Sequence, residues 1–259
     1  MKILFIGDIV GSPGREVFAK HVPAMKVAGE VDFVIANAEN AAGGSGITDR
    51  IAKDFFGLGC DVITLGDHVW DKREVYPFLN DEPRILRPLN LPPGVPGRGS
   101  CVIDGPGGVK IGIVMLLGRT FMKFPADCPF RAIDSVLESL RAQTPNIIVD
   151  MHAETTSEKI SMGWHADGRV SAVLGTHTHV QTADEKILPK GTAFITDVGM
   201  TGPYDSVIGQ SKQLIVDRYL TGMPCKFEVA SGSGTLCGVI VDIDRNSGKA
   251  KSIRRIQRD

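Results

Sequence analysis

Eight side chains with the chemistry of metal ligands or proton carriers stand at matching places in the sequence. Asp8 follows the apolar run "ILFIG", Glu39 and Asn40 follow "FVIANA", and Asp67 and His68 follow "VITLG". His152 closes "IIVDM", and His177 and His179 come just after "AVLGT". Carboxylates mixed with imidazoles and an amide suit Mn, Fe or Zn. Seven such residues besides His68 are more than one tetrahedral ion needs, so a two-metal site is the economical reading. Taken singly, an Asp or Asn after a strand is an ordinary turn residue or helix cap. "GTHTHV" is harder to explain that way, because on an extended backbone His177 and His179 project to the same side.

The segments that must position these residues alternate between strand-like and helix-like. "KILFIG" reads as a buried strand, and "SPGREVFAKHV" as a helix with Ser12 as N-cap, Pro13 at the first helical position, and Pro23 kinking or ending it. "VDFVIANA" and "DVITLG" read as strands on either side of the helix "TDRIAKDFFGLG", with a further helical stretch near "DKREVYPFL". Five prolines, Pro83, Pro88, Pro92, Pro93 and Pro96, make residues 80–99 an ordered connecting loop. The rhythm resumes with "VKIGIVMLLG", "FRAIDSVLESLRAQ", "NIIVDMH", "TSEKISMGWHADG" and "VSAVLGTH". After Thr192 the tail reads as strand-rich, through "TAFITDV", "CKFEVASG" and a hairpin turning near Asn246 to Gly248. Such alternation implies an α/β fold with parallel strands and helices on the sheet faces. Ligands of such sheets bind beyond the carboxyl ends of the strands, where all eight residues lie. No linker, repeat or low-complexity tract divides the chain, so 1–259 is expected to form one domain.

Composition narrows the function. The chain has 259 residues, is 42% hydrophobic and carries a formal net charge of -1, so it offers no bulk attraction to nucleic acid or an anionic membrane. Five scattered cysteines without a C-x-x-C pair argue for reduced thiols and a cytoplasmic protein. Asp8 interrupts the apolar N-terminus too early for a signal-peptide core, and no run is long enough to span a bilayer. A dinucleotide site at "IGDIVGSPGREV" fails on spacing, since Gly7, Gly11 and Gly14 do not form G-x-G-x-x-G, and Asp8 would repel a pyrophosphate. His21 reads as a core or surface residue, His165 as a helix-end residue, and Trp70 and Trp164 as packing.

"GDIVGSPG", "NAENAAGG", "LGDHVW", "DMHAETTSEK", "GTHTHVQTAD" and "TGPYDSVIG" together resemble, in order and over nearly the whole chain, the motifs of the YmdB-like family within the calcineurin-like metallophosphoesterases. The resemblance implies a sandwich of two mixed β-sheets flanked by helices. It also implies a dinuclear phosphodiesterase acting on cyclic nucleotides, notably 2′,3′-cyclic ones, by metal-bound hydroxide. Glu39 would bridge both metals; Asp8, Asn40 and His179 would complete the first site, and Asp67, His152 and His177 the second. His68 would donate the proton to the leaving group. Residue 67 is ordinarily asparagine in the superfamily, and the aspartate here brings the formal charge of the loaded site from one positive to zero, which favours a trivalent ion such as Fe(III). Fe or Mn is the expected metal, with Zn also suited. Asp150, Glu154 and Asp197 are candidates to orient ligand histidines, with surface or cap duty the equal alternative for each, and Arg119 reads as an exposed or structurally paired arginine ahead of a phosphate contact. A metal-binding regulatory or RNA-associated protein with weak catalysis, and a phosphomonoesterase, are the alternatives. The apolar segment after Thr192 could supply a subunit contact in a homo-oligomer.

Overall fold

The computed structural model describes residues 1–259. In chain order its elements are β1 (Lys2–Ile6), α1 (Gly11–Val27), β2 (Phe33–Asn37), α2 (Asp49–Gly57), β3 (Val62–Thr64), α3 (Tyr76–Asp81), β4 (Ile85–Leu86), β5 (Ser100–Asp104) and β6 (Lys110–Leu117). There follow α4 (Pro129–Arg141), β7 (Ile147–His152), α5 (Thr156–Ala166), β8 (Ala172–Thr176), β9 (Lys186–Ile187), β10 (Ala193–Ile195), β11 (Gly202–Pro203), α6 (Lys212–Thr221), β12 (Gly234–Ile243) and β13 (Ala250–Arg258). One sheet runs β11-β12-β1-β2-β3-β4, with β13 paired to β12; the other runs β5-β6-β7-β8-β10-β9. Both are mixed. β1 to β4 are parallel and β12 is antiparallel to β1. β6, β7, β8 and β10 are parallel between the antiparallel edge strands β5 and β9.

Side-chain alternation builds the layers. Ile3 and Phe5 of β1 share a core with Ile113 and Met115 of β6, Ile148 of β7 and Leu174 of β8, so the two sheets pack face to face. Leu4 and Ile6 point the other way, against Phe18, Val22 and Met25 of α1 and Phe55 of α2. On the far side, Val114 and Leu116 of β6 and Val149 of β7 pack on Ile133 and Leu137 of α4 and Met162 of α5. Strands covered on both faces need apolar residues at every position, which is why "KILFI" and "KIGIVMLL" read as unbroken hydrophobic runs.

Several expectations need correcting. α1 begins at Gly11 with Val10 as N-cap, so Ser12 caps nothing, and the helix continues past Pro23 because Val22 and Met25 anchor its last turns in the core. "CKFEVASG" is not a strand, apart from a single bridge between Val229 and Gln210. The tail also contains α6, where only Ile215 is buried, so no apolar stripe marks it in the sequence. The Pro-rich stretch is loop as expected, except for its first two residues, which close α3, and the short strand β4. The β12–β13 hairpin turns where the Asn246 to Gly248 signal places it.

The backbone of β8 lies unusually near the chain that follows β10. A Cβ on Gly175 would stand 1.7 Å from the carbonyl oxygen of Thr196. Gly175→Ala is expected to destabilise the fold by roughly 1–3 kcal/mol or more, read as a lowered denaturant midpoint. An unchanged midpoint would show that the two segments separate without cost.

Candidate metal centre

The carboxyl ends of β1, β2 and β3 in one sheet meet those of β7 and β8 in the other. Glu39, Asp67, His152 and His177 offer ligand atoms that all lie within 4.8 Å of one another. Glu39 Oε1 is 3.0 Å and Asp67 Oδ1 3.2 Å from His152 Nε2, and Asp67 Oδ1 is 3.5 Å from His177 Nδ1. Asp8 adjoins this group, with Oδ1 3.9 Å from both His152 Nδ1 and His179 Nε2. Asn40 stands beside Glu39; its Nδ2 donates to the Gly44 carbonyl, while its buried Oδ1 has no partner. Asp8 Oδ1 is likewise buried without a partner. Gly66 makes room for the cluster, since a Cβ there would lie 2.3 Å from Glu39 Oε2 and His152 Nε2.

Each of three histidines has one ring nitrogen tied outward and the other turned inward. His152 Nδ1 lies 2.8 Å from Thr176 Oγ1, whose own hydroxyl donates to Asp150 Oδ1 at 2.7 Å. With that hydroxyl proton committed, Nδ1–H is the donor to Thr176 and Nε2 is the nitrogen that faces the centre. His177 Nε2 faces Glu154 at 3.2 Å, leaving Nδ1 inward. His179 Nδ1 donates to the Ile208 carbonyl at 3.0 Å, leaving Nε2 toward Asp8. His177 Nδ1 and His152 Nε2 consequently face each other at 3.0 Å, an arrangement natural for two nitrogens sharing one cation. The extended backbone expected for "GTHTHV" is not what aims them. β8 ends at Thr176, and His177 and His179 have φ of 96° and 64°.

The electrostatics also call for cations. Asp8, Glu39 and Asp67 are buried, and no lysine or arginine pairs with them; their ionic partners are histidines alone. Burial opposes a charged His152, yet Glu39, Asp67 and Asp8 outweigh it and hold the ring well above the ordinary imidazole range. Burial, then the charge of His152, pushes His177 down to about 4. Burial raises the Asp8 carboxyl against the pull of His179 and His152. A divalent cation among these carboxylates would supply the positive charge that their raised neighbour His152 otherwise provides.

His68 sits at the rim. Its backbone N–H donates to Glu39 Oε2 at 3.2 Å, and its Nδ1 lies 2.8 Å from Asp71 Oδ2, three residues along. Burial works against its protonated form, but Glu39, Asp67 and Asp71 raise its pKa.

A family model described as "YmdB-like protein" matches residues 4–256. The chain belongs to the YmdB-like family. It is 50% identical over 256 residues, 99% of this chain and 96% of the other, to a 2′,3′-cyclic-nucleotide 2′-phosphodiesterase of Bacillus subtilis strain 168. The crystal structure of a hypothetical protein from Thermus thermophilus superposes with a TM-score of 0.93 at 42% identity, covering 99% of this chain and 98% of that one. That of a novel phosphatase from Mycoplasma pneumoniae gives 0.92 at 35% identity, over 99% and 92%. The fold is accordingly the metallophosphoesterase sandwich of two mixed sheets.

In this YmdB-like chain the supporting residues were less legible than the strand-end ones. Asp150 accepts from Thr64 at 2.6 Å as well as from Thr176, and burial pushes it up to about 6. Thr64, Thr176 and Asp71 carry no signal of their own, because hydroxyls and lone carboxylates occur in every strand and turn. Arg119 is exposed; its backbone N–H, not its guanidinium, meets Glu158. His165 pairs with Asp134, His21 with the Asp259 carbonyl, Trp70 packs edge-on against Tyr76, and Trp164 is half-exposed. None belongs to the cluster.

Because a cation must displace the proton on His152, affinity for Mn²⁺ should rise as pH is raised through neutrality, with proton release detectable by calorimetry in buffers of differing ionisation enthalpy. Thr176→Val, which removes the acceptor that fixes the His152 tautomer, should weaken that affinity by about 10–100-fold. Equal affinity in the variant would mean that Thr176 does not orient the ring.

Proposed function

We propose that the chain is a metal-dependent phosphodiesterase of small phosphodiesters, 2′,3′-cyclic nucleotides above all, acting as one domain over residues 1–259. The observation that carries the chemistry is the set of three imidazoles tied on their outer nitrogens and turned toward three buried carboxylates without a lysine or arginine partner. The substrate class rests on the 50% identical relative. Asp8, Asn40 and His179 would hold one ion, Asp67, His152 and His177 the other, and Glu39 would reach both. The unpartnered Asp8 Oδ1 and Asn40 Oδ1 support the first of these sites. Two divalent ions, when bound, supply Lewis acidity at the phosphate and water acidic enough to act at neutral pH. Iron or manganese is the metal we favour, with zinc also compatible with the donors. Three buried cysteines and two partly exposed ones, all free, support a cytoplasmic setting.

His68 is the proton donor in this reading. Asp71 holds Nδ1, so Nε2 is the nitrogen free to protonate the leaving ester oxygen as its bond to phosphorus breaks. A phosphomonoesterase is the second reading, favoured by the phosphatase from Mycoplasma pneumoniae.

Purified protein with Mn²⁺ is expected to hydrolyse a chromogenic diester faster than the corresponding monoester, and to open 2′,3′-cyclic AMP; the opposite preference would establish the second reading. Glu39→Ala should abolish turnover. His68→Ala should cost about 10²–10⁴-fold on the cyclic nucleotide and far less on a p-nitrophenyl diester, whose leaving group needs no proton. An equal loss on both would remove His68 from the acid role. Asp67→Asn should retain both metals and change the order of activity with Mn, Fe and Zn. An unchanged order would count against Asp67 as a ligand.

A further inference from the structure

Lys159 is the one lysine or arginine buried in the protein, and it belongs to α5, a helix that supplies no residue to the proposed reaction. Its Nζ donates to Asp197 Oδ2 at 2.7 Å and to Thr178 Oγ1 at 3.2 Å. Asp197, which follows β10, is fully buried too; its Oδ2 also accepts from the Thr178 hydroxyl at 2.6 Å and the Thr178 backbone N–H at 3.1 Å. Its Oδ1 accepts from Gly199 N–H at 2.8 Å, and its backbone N–H donates to Thr182 Oγ1 at 2.9 Å. The lysine and the aspartate thus meet on Thr178, the single residue between His177 and His179.

Those two histidines have left-handed backbone, which for a side chain other than glycine costs of the order of 1–3 kcal/mol each and persists only where the surroundings over-determine it. Thr178, between them, is tied by its backbone N–H and hydroxyl to Asp197 and by its hydroxyl to Lys159. A buried lysine-aspartate pair is poor evidence of net stabilisation, because desolvation offsets most of the attraction; fixing a geometry is the use that explains its retention. The aspartate needs the lysine for a second reason. An unpaired carboxylate here would add another negative charge beside Asp8, whose Oδ2 accepts the His177 N–H at 3.2 Å.

We propose that Lys159 and Asp197 are positioning residues, which lock the Thr178 peptide so that His177 Nδ1 and His179 Nε2 turn toward the metal centre. This rests on the metal-site reading above. Neither residue touches substrate.

The test compares Mn²⁺ affinity, by equilibrium dialysis of metal-stripped protein, in the wild type, Thr178→Val, Asp197→Asn and Glu39→Ala, alongside thermal unfolding of each. The expected result is at least about a tenfold loss of affinity in Thr178→Val and Asp197→Asn, with Thr178→Val still folding as the wild type does. Wild-type affinity in a folded Thr178→Val overturns the proposal, even if Asp197→Asn proves too unstable to measure. If the wild type and Glu39→Ala bind Mn²⁺ equally, the metal-site reading itself fails and this inference with it. If Glu39→Ala alone loses binding, only the inference fails.

Discussion

Three carboxylates buried at one spot with no lysine or arginine to neutralise them set the terms for the rest of the structure. Asp8, Glu39 and Asp67 lie between the two sheets, where an uncompensated charge costs several kcal/mol. Their neighbours are imidazoles, which can serve as neutral ligands or as cations. The one buried lysine is kept on Asp197 and does not reach them. A cluster of this charge and donor type is suited to a metal ion, and the contacts around it hold its side chains in place.

That placement comes from the second layer of contacts. Thr176, Glu154 and the Ile208 carbonyl take the outer nitrogens of His152, His177 and His179, so each ring has one orientation and turns its other nitrogen inward. Asp150 in turn takes the hydroxyls of Thr64, from one sheet, and Thr176, from the other. The same carboxylate thus joins β3 to β8 across the sandwich, and the geometry of the centre is tied to the packing of the sheets. Face-to-face packing then supplies the apolar surroundings that make each polar contact strong and each missing one costly.

Asp67 and His68, adjacent in the chain, face different surroundings because of where β3 ends. One side chain turns inward to His152 and His177, while the next turns to the rim and meets Asp71. An aspartate at position 67 adds negative charge to the inner side. If the cluster holds metal as proposed, the extra charge would favour ions of higher charge and weaken the attraction for phosphate.

Strand ends were legible in the sequence because a strand covered on both faces is an apolar run, and the first polar residue after it is conspicuous. Asp8, Glu39, Asp67, His152 and His177 could each be placed at the end of such a run, and the strand-helix alternation implied the sheets. α6 was not legible because it buries almost nothing, nor was the loss of strand character in "CKFEVASG", since local propensity yields to tertiary contacts. Which side chains lie at the carboxyl ends of the parallel strands follows from local pattern alone, since periodicity sets where a strand stops. Long-range packing settles which nitrogen of each histidine faces inward, that His177 and His179 leave the extended conformation, and that Lys159 pairs with Asp197. Those choices depend on partners 19 to 38 residues away or in the opposite sheet, as Lys159 is from Thr178 and Asp197, and no local pattern encodes them.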